Sequence, residues 1–121
     1  IKTKREQKSE FEVWGTGMPV REWIYVADIA AIIKRVIDHP IELSYPVNIA
    51  QKKGWSIKET AEIIAVILGY QGAIRFNTSY ADGAMKKILD NTEFLNVFPN
   101  FSFTDFKEGI KNTIHYYESV I

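Results

Sequence analysis

Between Ser56 and Gly69 the sequence marks both ends of a helix. A serine followed three residues later by Glu59 is the reciprocal capping box, in which each side chain serves the other's main-chain amide. Gly69 suits the left-handed position that closes such a helix. Between these markers Ile57, Ala61, Ile64, Ala65 and Leu68 form an apolar stripe, and Ile63, Val66 and Ile67 broaden it. A helix so apolar needs cover on more than one face. Whatever else the chain does, it must lay other elements against this one.

The flanking sequence offers those elements. Phe11-Glu12-Val13-Trp14 alternates apolar and polar as a strand does, and Gly15-Thr16-Gly17 with Pro19 then mark a turn. Arg21 to Val26, rich in aromatic and β-branched residues, is a second strand candidate. Asp28 is read as the N-cap of a helix whose stripe is Ile29, Ile32, Ile33, Val36 and Ile37, stopped by Pro40. Pro46 to Ala50 reads as a short buried strand around Val47-Asn48-Ile49. Ala73 to Asn77 alternates again, and the loop from Thr78 to Met85 carries the turn signal Asp82-Gly83. A short helix is expected after Asp90, with Glu93 as capping-box partner, broken by Pro99-Asn100. Thr104 is expected to cap a last helix with the stripe Phe106, Ile110, Ile114, Tyr117 and Ile121.

The resulting order, β-β-α-β-α-β-α-α, is that of a mixed α/β unit, helix-rich with short strands. The strands are too few and too short for a complete doubly wound sheet, so the unit reads as a layer that packs on another domain. With 121 residues there is one domain's worth of chain. Residues 1–10 form a basic N-terminal segment, a solvated helix end or ragged terminus, and 11–121 form the domain.

Composition narrows the function. With 7 Phe, 6 Tyr and 3 Trp the chain is not generally disordered. Fifteen basic residues against fifteen acidic ones leave no net charge, which argues against nucleic-acid binding by bulk electrostatics. The lack of cysteine excludes disulfides and thiolate metal sites. No apolar run approaches a membrane span and no signal peptide opens the chain, so a cytoplasmic location and no membrane partner are expected. His39 and His115 lack the carboxylate spacing of a metal site. Gly15-Thr16-Gly17 precedes another strand, whereas a phosphate cradle needs a helix N-terminus just after its glycines.

Four residues stand out as candidates. Arg21 opens an apolar strand beside Glu22. It is either an edge arginine paired with Glu22 or Asp28, or a phosphate ligand, for which its rigid fork is suited. Trp14 either packs in the core or stacks on a base. Lys86-Lys87 is either a solvated pair or the source of a phosphate contact from one of the two. Tyr80 joins them from the loop that precedes this pair.

The run from Val13 to Asp28, Val-Trp-Gly-Thr-Gly-Met-Pro-Val-Arg-Glu-Trp-Ile-Tyr-Val-Ala-Asp, resembles a motif of the extended short-chain dehydrogenases/reductases, the NAD-dependent epimerase/dehydratase family. That motif is close to G-x-G-x-x-x-R-[DE]-[FW]-[LI]-[HY]-V-x-D and opens the family's C-terminal, substrate-binding part. The Trp-Gly-x-Gly start and Asp82-Gly83 followed by Lys86-Lys87-Ile88-Leu89-Asp90 are most similar to its GDP-L-fucose synthase branch. The likeness runs from about Phe11 to Tyr117. It implies that Arg21 contacts the diphosphate of a nucleotide sugar, a GDP-sugar above all, and that Trp14 lies near the nucleotide. Tyr80-Ala81-Asp82-Gly83 departs from the family pattern, which has a basic residue before Pro-Asp-Gly. Tyr80 then stands in the substrate loop, and Lys86 is the residue that could supply the missing charge. Ala27 is a smaller departure.

The family's NAD or NADP site and its catalytic Tyr-x-x-x-Lys pair belong to a Rossmann domain. Here neither Tyr80 nor Tyr116 is followed by Lys at the fourth place, and Tyr70 is followed by Ile74. The resemblance thus implies the substrate-binding portion of an NAD(P)-dependent epimerase/reductase, inactive by itself, lacking the Rossmann domain and with no catalytic or cofactor residue of its own. The alternative is a non-enzymatic nucleotide-sugar-binding or interaction module. On either reading the 56–68 helix leaves apolar surface unpartnered. The isolated chain is expected to self-associate; a single monomeric species in light scattering at high concentration refutes this.

Overall fold

The computed structural model describes residues 1–43 and 45–120. Among these the elements run α1 (Lys2–Arg5), β1 (Glu10–Trp14), β2 (Val20–Arg21), α2 (Val26–Asp38), β3 (Trp55–Ser56), α3 (Ile57–Leu68), β4 (Ala73–Asn77), β5 (Lys86–Lys87), α4 (Thr92–Val97) and α5 (Phe106–Val120). The architecture is the expected mixed α/β one, with short strands between longer helices. No helix among the described residues is long and apolar enough to cross a membrane.

Two small sheets organise the strands. β1 and β4 pair in parallel from Glu10↔Ala73 to Trp14↔Asn77. Strand alternation sends Phe11, Val13, Ile74 and Phe76 to one face, where all but Phe76 border a groove of about 340 Å³ with Ile57, Ala61, Ile64 and Leu68 of α3. In the second sheet β2 is central, antiparallel to β3 and parallel to β5.

α3 forms as its sequence dictates. Ser56 accepts from the Glu59 amide at 3.1 Å, and Glu59 accepts from the Ser56 amide at 2.7 Å. Gly69 closes the helix at φ 62°. The Ser56 amide, and after it the Ser56 hydroxyl, hold the Glu59 carboxyl below the ordinary glutamate value.

Elsewhere long-range partners overrule local signals. The second strand stops at Arg21, because the Glu22 side chain takes up main-chain amides that a longer ladder would use, and Tyr25 turns the chain into α2. Asp28 is not the N-cap of α2, which begins two residues earlier. Its buried carboxylate instead accepts from the Thr104 amide at 2.9 Å and hydroxyl at 2.8 Å. With Thr104 so engaged, Asp105 caps α5 by accepting from the Lys107 and Glu108 amides. Glu93 forms no capping box: it accepts from the Tyr45 hydroxyl at 2.8 Å, while Asp90 takes the Thr92 amide. The Thr92 contacts and the Lys52 ammonium hold Asp90 at about 2.

Val47-Asn48-Ile49 is not a strand. With no ladder beside it, this segment lays Val47 and Ile49 against the core formed by Ile32, Phe94 and Phe98. Phe101 and Phe103 complete that core, with ring centroids 5.8 and 5.3 Å from Phe94. The α2 stripe is only partly used: Ile32 is buried, whereas Ile33, Val36 and Ile37 are exposed. In α5, Ile114 is buried and Tyr117 exposed, and Ile121 lies outside the described residues.

Phe94 is fully buried at the centre of this cluster. Phe94→Ala is therefore expected to lower unfolding stability by about 3–5 kcal/mol, read from the urea midpoint. An unchanged midpoint would place the core elsewhere.

Candidate functional site

β1 and β4 run parallel and end level with each other, so the loops that follow, 15–19 and 78–85, start side by side. The Gly15 amide donates to the Asn77 carbonyl at 2.9 Å. One residue on, Asp82 reaches across: its carboxylate accepts from the Thr16 amide and the Thr16 hydroxyl, both at 2.6 Å. Gly15 sits at φ 84°, and any Cβ there would collide with that carboxylate. Beyond the loops the Val20 amide donates to the Met85 carbonyl at 2.8 Å, and β2 and β5 resume a parallel course. Asp82-Gly83, read from sequence as a turn, is thus also a tether between loops.

Above this junction Trp14 and Tyr80 stack, with ring centroids 4.4 Å apart and planes 12° from parallel. Trp14 is 67% exposed, so it is not a core residue. Its indole N–H donates to Glu12 at 3.2 Å, and Glu12 shares Arg75 with Glu10.

Arg21 is half-buried, and its guanidinium donates to the Val20 carbonyl at 2.8 Å. It pairs with neither Glu22 nor Asp28, which accept from main-chain amides and from Thr104. Among the described residues Arg21 has no carboxylate partner, and Lys87 has none either. Register supplies its neighbours. Arg21 is opposite Trp55 on β3 and Lys87 on β5, and facing residues project to one side of a sheet. Trp55, Arg21 and Lys87 therefore form one row. Lys86 aligns with Val20 and Ser56 in the other row. Lys53 sits over the Trp55 ring at 5.0 Å, and Trp55 stacks on Phe106 at 3.9 Å.

The structure thus brings Trp14 together with Tyr80, and Arg21 together with Lys87. Sequence reasoning did not single out Lys87, because two adjacent lysines are distinguished only by strand register. It also missed the Thr16–Asp82 tether, although the glycines around Thr16 signal a close approach. Chemically, an exposed aromatic stack offers a face to a flat ring, and two cations without carboxylate partners offer an anion site. Among the described residues no cluster of three or more His, Asp or Glu side chains could hold a metal ion.

The Thr16 hydroxyl, and after it the Thr16 amide, hold the Asp82 carboxyl below the ordinary aspartate value. A depressed carboxylate stabilises the folded loop pair at neutral pH, and that contribution is lost as pH falls through the depressed value. The Thr16 amide signal in NMR should therefore titrate below the normal aspartate range. In Asp82→Ala it should be unprotected from exchange at every pH, with the Trp14 indole signal displaced. Titration at the ordinary value, or an Asp82→Ala spectrum like the parent's, contradicts the tether.

Residues 1–50 match the model of the NAD dependent epimerase/dehydratase family. Over 110 residues the chain is 34% identical to the GDP-L-colitose synthase of Yersinia pseudotuberculosis, covering 91% of this chain and 35% of that protein. It is 33% identical over 121 residues to a probable GDP-L-fucose synthase 1 of Oryza sativa, covering 98% and 36%. The crystal structure of a GDP-L-fucose synthetase from Naegleria fowleri bound to NADP shares the fold with a TM-score of 0.88 at 28% identity, covering 98% and 37%. The chain spans about a third of the length of these relatives.

Proposed function

We propose that this chain, a relative of the NAD dependent epimerase/dehydratase proteins in sequence and fold, is the nucleotide-sugar-binding portion of an NAD(P)-dependent GDP-sugar epimerase/reductase of the GDP-L-fucose synthase kind. Residues 11–121 form the substrate-binding domain, working in the cytoplasm. One observation carries this reading: a half-buried arginine, without a carboxylate partner among the described residues, stands in register with a lysine on the paired strands that the loops after β1 and β4 lead into. Ligands of open α/β sheets collect outside the carboxyl ends of the strands. Arg21 grips the diphosphate with its planar fork, and Lys87 adds a second positive charge on the same side. Lys86, on the neighbouring row, is the other basic candidate. The base lies against the exposed Trp14–Tyr80 stack. Holding the nucleotide this way fixes where the sugar projects, and such orientation lowers the barrier to reaction at the sugar carbons.

The residues here do not fit a dinucleotide. Gly15-Thr16-Gly17 leads into β2 and not into a helix N-terminus, so no nicotinamide step is assigned to this chain. NAD or NADP belongs, in this reading, to a Rossmann domain of the same enzyme. The apolar groove beside α3 and the exposed face of α2 are surface for that domain. In its absence, another copy of the chain would cover them.

The test is an NMR titration of the 121-residue chain with GDP, UDP, CDP and dTDP, using the indole N–H signals of Trp14, Trp23 and Trp55. GDP should move the Trp14 signal. Arg21→Ala should weaken binding about 10- to 150-fold, the weight of one hydrogen bond to a charged group. In a complete enzyme the same change should raise KM strongly. Silence of all three indoles with all four nucleotides counts against the proposal.

A further inference from the structure

Glu22 is half-buried, and its carboxylate forms no ion pair among the described residues. Main-chain amides saturate it instead. Oε1 accepts from Gln51 N at 2.5 Å and Lys52 N at 3.0 Å, and Oε2 accepts from Leu89 N at 2.9 Å. Residues 51–52 lie ahead of β3, where Lys52 adopts a φ of 58° without being glycine. Leu89 lies just beyond β5. The Glu22 amide also donates to the Lys87 carbonyl at 3.2 Å. One residue therefore grips the segments on both sides of its own strand.

β5 needs that grip. It shares only two residue pairs with β2, Val20↔Lys86 and Arg21↔Lys87, and so short a pairing is marginal by itself. The second pair sets two like charges directly opposite each other, which destabilises a sheet. A fold that keeps Arg21 and Lys87 abreast must offset their repulsion. The Glu22 carboxylate does so by adding a charge-assisted hydrogen bond from the Leu89 amide, just beyond the ladder.

We propose that Glu22 is a positioning residue, whose carboxylate clamps β5 onto β2 and so holds Lys87 beside Arg21 as a two-cation grip for a nucleoside diphosphate. The inference rests on the nucleotide reading above. The substitution Glu22→Gln would keep the volume but remove one acceptor oxygen, and the amide nitrogen put in its place would face a donor.

The experiment uses the whole 121-residue chain and GDP, with R21A, K87A, E22Q and the E22Q/K87A pair. E22Q should keep its far-UV circular dichroism, lose exchange protection at the Leu89 amide and bind GDP about tenfold more weakly. Added to K87A, E22Q should weaken binding little further, because the clamp acts through Lys87. A merely structural role would lower stability in both backgrounds and leave the affinity of the folded protein unchanged. Full protection of Leu89 in E22Q overturns the clamp whatever GDP does. R21A weak and E22Q normal overturns this inference alone, whereas a neutral R21A removes the nucleotide reading and this inference with it. If E22Q does not fold, E22D replaces it with the same expectations, since the shorter carboxylate cannot span both segments.

Discussion

A five-residue parallel pairing between β1 and β4 sets the geometry of everything around it. Parallel strands cannot be joined by a tight turn, so residues 15–72 become the crossover, and α2 and α3 lie within it. The same pairing makes the two strands end together, which is why the loops holding Trp14, Thr16, Tyr80 and Asp82 lie side by side. It also delivers the chain to the second parallel pair, β2 with β5, where Arg21 meets Lys87. Trp14 and Tyr80, far apart in the chain, become stacked neighbours through this one register.

Three acidic residues share a habit. Glu22, Asp28 and Asp82 accept from main-chain amides or threonine hydroxyls and not from arginine or lysine. Each ties together segments distant in sequence. The overall charge is zero, and because these three carboxylates serve as internal tethers, none of them is ion-paired with Arg21. The exposed ion pairs elsewhere, such as Lys34–Asp38 and Lys58–Glu62, add little to stability.

How much of this was legible in the sequence depended on the range of the forces involved. α3 was readable to the residue, because Ser56, Glu59 and Gly69 act within one turn of the helix they bound. β1 and β4 were readable because alternation is local, although their mutual pairing was not. Asp28 and Thr104 each looked like a helix cap, and each is diverted to the other across the fold. Val47 and Ile49 have the composition of a strand but lack a partner ladder, and composition cannot supply one. In the site, Arg21, Trp14 and Tyr80 were singled out by type and by family resemblance. The choice between Lys86 and Lys87 had to wait for the β2–β5 register. The exposed side of α2 was read as buried because periodicity reports that a face is apolar, not what covers it.

The β1–β4 register also has a consequence for how the chain comes to be folded during synthesis. Glu10 pairs with Ala73, about 63 residues further on. At roughly 5–20 residues per second, β1 waits roughly 3–13 s after its own synthesis before its partner exists. Through that interval Phe11, Val13 and Trp14 have no ladder, and α3, only 12 residues long, has no strand pair to pack on. Only four residues separate the end of α3 from the start of β4, so the apolar surface and the strand partner of β1 become available almost together.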